Sequence, residues 1–224
     1  YDDGNNWMKF NSPSVGQFYD INVDMKEPYN VYGGFQDNGV WMGPSDYNSS
    51  LRWHSTGSYP WKSIYGGDGM QTEIDYRDNE TVYTGSQFGN YARINTRTGD
   101  RKRITPSHKL GERPYRWNWE TPIYLSRHNQ DILYMGSNKF HRSLNKGDDF
   151  ETLSTDLTNG GIKGNVSYGT LTTIIESSIK FGLIYVGSDD GLVHVSKDGG
   201  YSWTNISSSL PENMWVSSIY PSNF

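Results

Sequence analysis

Four short segments of this chain end in the same Tyr-x-Gly step, and their tyrosines, Tyr32, Tyr83, Tyr134 and Tyr185, stand 51 residues apart. The interval recurs upstream, in alternating runs that close on Ile21 and Val23, Thr72 and Ile74, Ile123 and Leu125, and Ile174 and Glu176. These runs are followed by Asp24, Asp75, Ser126 and Ser177. One unit is therefore used four times within 224 residues, and a period near fifty marks a stacked or radial repeat.

The composition decides between the repeat architectures. Aromatic residues supply 15% of the chain (17 Tyr, 8 Trp, 8 Phe), whereas Ala92 is the only alanine, so sheet formers abound and helix formers are scarce. Each unit holds an alternating run, a polar turn, the Tyr-x-Gly run, a second turn, and two shorter runs joined by a glycine turn. Period-two alternation broken by Gly, Asn and Asp clusters predicts antiparallel strands, and four strands per unit predict an all-β chain of four-stranded β-propeller blades. The pattern places blades at about 14–56, 64–105, 117–154 and 168–208, with 1–10 and 214–224 as parts of adjacent blades. It predicts an open four-blade arc, with the remaining blades supplied by a longer parent chain.

A formal net charge of −5 with scattered cations leaves no footprint for nucleic acid. No run approaches the roughly 18 apolar residues of a membrane-spanning helix. The chain has no cysteine, and His54, His108, His128, His141 and His194 form no pair at metal-ligand spacing, so neither a metal nor another cofactor is expected. No Gly-x-Ser-x-Gly elbow and no phosphate-binding loop is present.

The fourth unit carries Ser196-Lys197-Asp198-Gly199-Gly200-Tyr201-Ser202-Trp203, of form Ser-x-Asp-x-Gly-x-x-Trp. A softened copy follows the third Tyr-x-Gly run, with Ser143, Asn145, Gly147 and Phe150 at the corresponding places. The second unit keeps only Asn95-Thr96-Arg97-Thr98-Gly99. Ser and Asp side chains capture backbone N–H groups, Gly permits positive φ, and the aromatic residue folds back as a lid, which makes the motif a turn staple. The octapeptide resembles the Asp-box, or bacterial neuraminidase repeat, of the Asp-box propellers. The segments Pro28–Gly39, Gly66–Gly69, Tyr115–Pro122 and Tyr185–Gly191 are similar to those of large secreted bacterial proteins of sortilin-like or glycosyl-hydrolase-like type. The resemblance implies a secreted, periplasmic or cell-surface protein, with the box residues structural and away from the ligand face. A sialidase would need an Arg-Ile-Pro segment, and Arg93-Ile94 is followed here by Asn95.

Alternating strand direction places the segment leading into strand one and the turn between strands two and three on one face of a propeller. Stepping by 51 gathers Gln17, Asp68, Trp119 and Thr170 from the lead-in segments, with Glu120 beside Trp119. The same step gathers Gln36, Gln87, Asn138 and Asp189 from the turns, followed by Asp37, Phe88, Lys139 and Asp190. Tryptophans stack on sugar rings while amides and carboxylates bind hydroxyls, so the expected ligand is a glycan, with a polypeptide as the other candidate. Trp117 and Trp119 are the candidate stacking residues, with packing between blades as their alternative, and Arg116 is a candidate clamp. Gln36, Gln87, Asn138 and Asp189 are candidate polar contacts. Asp68, in a glycine-flanked turn, either caps that turn or pairs with Glu120 or Asp37 as the acid and base of a glycoside hydrolase. The expected role is a recognition scaffold, with that hydrolase as its alternative.

Overall fold

The computed structural model describes residues 3–5, 16–48, 60–160 and 167–223. Among the described residues, sixteen strands form four sheets of four. The first sheet is β1 (Phe18–Val23), β2 (Asn30–Phe35), β3 (Gly39–Pro44) and β4 (Lys62–Tyr65). The second is β5 (Thr72–Ile74), β6 (Thr81–Ser86), β7 (Asn90–Asn95) and β8 (Arg101–Arg103). The third is β9 (Ile123–Leu125), β10 (Leu133–Gly136), β11 (Phe140–Ser143) and β12 (Glu151–Thr152), and the fourth is β13 (Leu171–Glu176), β14 (Ile184–Ser188), β15 (Val193–Ser196) and β16 (Thr204–Asn205). Every neighbouring pair is antiparallel and sequential. The sheets are the blades of a four-blade β-propeller, whose first strands lie side by side in the order β1, β5, β9, β13. In the first blade the fourth strand falls beyond residue 56, where the repeat places the blade's end. Residues 49–59, and all of the segment 1–10 except 3–5, lie outside the described residues.

The 51-residue step is a structural register. Tyr32 pairs with Asn22, Tyr83 with Glu73, Tyr134 with Tyr124 and Tyr185 with Ile175, each tyrosine opposite the residue ten places earlier. Tyr32, Tyr83 and Tyr134 are buried in three apolar clusters, which lie between blades one and two, two and three, and three and four. The glycine two residues on faces the neighbouring blade or the segment after β16 in three of the four units, whereas a Cβ on Gly85 would strike Asn90 and Tyr91 of its own blade. A Cβ on Gly34 would run into the carbonyls of Gly69 and Met70, one on Gly136 would meet Leu171, and one on Gly187 would strike Val216. The segment after β16 thus lies on blade four as lead-in segments lie on earlier blades. Val216 N–H donates to Ser188 O (3.1 Å), as Gly69 N–H does to Phe35 O (2.9 Å) and Leu171 N–H to Ser137 O (2.7 Å).

The turns between strands three and four of the last two blades share one hydrogen-bond pattern. Ser196 Oγ accepts from Gly200 N–H (2.8 Å), and Asp198 Oδ1 accepts from Ser196 Oγ (2.8 Å) and Ser202 N–H (2.9 Å). Ser143 Oγ likewise accepts from Gly147 N–H (2.8 Å), and Asn145 Oδ1 from Asp149 N–H (2.9 Å). Trp203 and Phe150 close the turns by packing on the clusters beside them. Hydrogen bonds from Ser202 hold the Asp198 carboxyl down at about 2.

The buried tyrosines differ at their hydroxyls. Tyr134 donates to Glu176 Oε1 (3.0 Å) and Tyr32 to Asp24 Oδ2 (3.2 Å), while Tyr83 OH finds no partner among the described residues. Removing a hydroxyl that a buried carboxylate uses costs about 1–3 kcal/mol, whereas removing an unsatisfied one is close to neutral. Denaturant unfolding is therefore expected to show Tyr134→Phe destabilised by about that amount and Tyr83→Phe as stable as the parent or more so.

Candidate functional site at the channel mouth

The lead-in segments and the turns between second and third strands do converge on one face, where they bind one another. Asp68 Oδ1 accepts from Asp37 N–H (2.6 Å) and its Oδ2 from Gln87 Nε2 (2.8 Å), so this buried carboxylate ties the turn of blade one to that of blade two. The glycines around it serve the same closure. Gly67 O accepts from Gly39 N–H (2.8 Å), and a Cβ on Gly69 would collide with Gly39 O. In blade four the turn residue Asp189 is tied instead to its own blade's lead-in, with Oδ1 accepting from Gly169 and Thr170 N–H (both 3.0 Å) and Oδ2 from Thr170 Oγ1 (2.6 Å).

Arg116 and Asn138 are bound as tightly. The Arg116 guanidinium donates to Gly169 O (3.0 Å), Asp156 Oδ2 (2.7 Å) and Thr158 Oγ1 (3.0 Å), and its backbone N–H donates to Asn138 Oδ1 (3.0 Å). Asn138 Nδ2 completes the ring on Asp156 (3.0 Å). Each charge and amide has its partners inside the protein, as burial at these positions requires.

Residues 113–118 are not a strand, and Trp117 and Trp119 have different surroundings. Trp117 is half-buried, packs against the cluster between blades two and three, covers Gly89, and lies 5.6 Å from the buried His141 ring. Trp119 is 40% exposed. Its indole N–H donates to Tyr19 OH of blade one (3.2 Å), its carbonyl accepts from Phe88 N–H of blade two (3.2 Å), and its ring meets that of Phe88 edge-on at 5.3 Å. Three blades thus hold one exposed indole. Gln36 is half-buried and Asp37 is exposed on the same turn.

A carboxylate group that the repeat step conceals lies on the inner strands. Asp20, Glu73 and Glu120 come from β1, β5 and the approach to β9, and Glu73 and Glu120 each feel the charge of Asp20. Burial, reinforced by Asp20, pushes Glu73 up to about 8 and Glu120 up to about 7, and burial raises Asp20 as well. Arg127 and a hydrogen bond from the Leu125 backbone oppose the shift at Glu73. Among the described residues no three His, Asp or Glu side chains stand close enough to hold a metal ion.

No protein-family model matches the chain, and no curated protein matches it. Its fold is similar to those of solved structures. A GH74 xyloglucanase from Xanthomonas campestris matches with a TM-score of 0.60 at 17% identity, over 88% of this chain and 31% of that one. An ancestral GH74 enzyme matches at 0.57 and 15% identity, over 87% of this chain and 24% of that one. The GH74 enzyme of Niastella koreensis matches at 0.54 and 16% identity, over 86% and 30%. The chain spans under a third of the length of each, and the likeness is one of fold.

A carboxyl group whose folded pKa is raised adds stability that is complete below its unfolded value and is lost as pH rises through the folded one. For Glu73 that window runs from the ordinary 4.5 to about 8. Glu73→Gln is therefore expected to melt with the parent near pH 5 and above it near pH 8, a crossover that thermal melts at both pH values check directly.

Proposed function

We propose that this propeller is a recognition scaffold for a neutral glycan, which it holds on Trp119 at the channel mouth. The observation that carries this reading is the fixed exposure of the indole: its N–H, its carbonyl and its neighbouring ring are all engaged, yet 40% of its surface stays open. A rigid exposed indole stacks on the C–H face of a sugar ring with little loss of side-chain freedom. The carboxyl groups next to it, Glu120 in sequence and Asp20, which follows Tyr19 and acts on Glu120, are acidic, and Arg116 is committed to Asp156. Uronic or sulfated glycans would meet like charge there.

The two serine-based turns at 143–150 and 196–203 support assignment to the Asp-box propellers, and with it a sortilin-like scaffold at a secreted, periplasmic or cell-surface location. The fold likeness to GH74 enzymes, one of them a xyloglucanase, makes a xyloglucan oligosaccharide the first ligand to try. Calorimetry is expected to show Trp119→Ala losing affinity about tenfold or more, roughly 1.4 kcal/mol, with its melting temperature nearly unchanged. Trp117→Ala is expected to melt lower because it uncovers Gly89 and the adjoining cluster. Equal affinity in parent and Trp119→Ala, or capture of a peptide at Trp119 in place of sugar, would remove the glycan assignment.

A hydrolytic version of the reading rests on Glu120, which burial and Asp20 raise to about 7, near neutrality as a general acid requires. Asp68 is less suited to that role, because both its oxygens already accept hydrogen bonds inside the protein. Glu120→Gln is then expected to abolish reducing-sugar release while binding persists, and the parent's activity should fall off above about pH 7. Release that survives the substitution assigns Glu120 to binding alone.

A further inference from the structure

We infer that Phe88 is a positioning residue for the Trp119 platform, kept in a strained backbone conformation so that its ring stands as a second wall of the ligand site. The inference deepens the glycan reading and rests on it for the identity of the ligand.

Phe88 has a φ of 56°, in the left-handed region that bulky side chains avoid. Strain of this kind persists only where the surroundings over-determine the backbone. Every neighbour of Phe88 is tied down. The Gln87 side chain is bound to Asp68 (2.8 Å), and Gln87 O accepts from Asn90 Nδ2 (2.8 Å). The Phe88 N–H is held by Trp119 O, and Gly89 O accepts from Thr105 Oγ1 (2.5 Å). Gly89 itself lies beneath Trp117, which a Cβ there would meet at 2.8 Å.

What the strain provides is not burial. The Phe88 side chain remains 41% exposed, and it stands at 85° to the Trp119 ring, 5.3 Å away. At the corresponding turn of blade one the same conformation, φ 60°, is occupied by Asp37, a residue type that adopts it readily. Turn geometry alone therefore does not call for an aromatic residue. Two exposed rings at right angles form a corner, which fixes the tilt of the indole and admits a ring stacked against one wall and bounded by the other. A neutral pyranose has the matching shape, an apolar face with equatorial substituents at its edge.

Phe88→Asn separates the two roles, because asparagine accepts the left-handed conformation and lacks the ring. The variant is expected to melt at or above the parent temperature, by up to about 2–4 °C, while its affinity for a xyloglucan oligosaccharide falls at least about fivefold. Incorporation of 5-fluorotryptophan supplies a readout without ligand: the Trp119 resonance, assigned through Trp119→Phe, is expected to shift and broaden in Phe88→Asn. A lower melting temperature would make Phe88 a folding residue and overturn the inference. So would an unaltered Trp119 resonance, or parent-like affinity in a protein whose Trp119→Ala variant has lost binding. A parent that binds no glycan, with the Trp119 resonance still shifting in Phe88→Asn, counts against the glycan reading and supports the positioning role.

Discussion

The contact on which the rest of this structure depends is the seating of one blade's lead-in segment against the second strand of the blade before it. A buried tyrosine fills the space between the sheets, and two residues later a glycine leaves room for the next backbone to pass, as Gly34 does for Gly69 and Met70. The tyrosine supplies a large apolar area, and in Tyr134 also a hydroxyl donated to Glu176 at the end of the next blade's first strand. At Gly34 a side chain would hold the two backbones apart, at Gly136 and Gly187 it would meet side chains of the next segment, and at Gly85 the glycine makes room within its own blade.

That dependence also explains why so much of the fold is legible in the residues alone. Tyr32, Tyr83, Tyr134 and Tyr185 are spaced by a packing rule, so counting between them recovers the strand register without knowledge of any contact. The serine-based turns are legible for a similar reason, since their hydrogen bonds close within eight residues. The site is less so. The repeat step brings Asp68, Asn138 and Asp189 to attention, but residue type does not tell whether a carboxylate or amide faces solvent or a neighbouring turn, and here each is bound inside the protein. Asp20 and Glu73 escape repeat counting for a different reason. One step from Asp20 leads to Gln71 and one from Glu73 leads to Tyr124, so neither belongs to a recurring column of acids. Their proximity arises from the curvature that sets β1, β5 and β9 side by side.

The segment that carries Trp117 and Trp119 leads into a strand without being one, so strand alternation does not govern where the two indoles point. It has to cross from the rim of one blade to the channel of the next, and its side chains are turned by what they pass. Trp117 is drawn into the cluster between blades two and three, and Trp119 is set over the mouth by Tyr19 and Phe88. Two residues of one type, separated by a single asparagine, thereby take opposite roles.

The polar groups of the mouth bind each other because a propeller has no other means of fixing its loops. A turn between strands two and three is anchored at its ends by the sheet, and its tip would be mobile unless the adjoining blade held it. Asp68 does so between blades one and two, Asp189 ties its turn to the lead-in of its own blade, and the burial of both keeps them off the exposed surface. The groups left facing outward are those that loop fixation does not use, and in blades two and three these are the rings of Phe88 and Trp119. A mouth built this way presents apolar faces on a frame of satisfied hydrogen bonds, with the acids of the inner strands set behind it. On the proposed glycan reading, selectivity would come from shape and from the exclusion of negative charge, more than from direct hydrogen bonds to the carboxylates that the repeat first brings to notice.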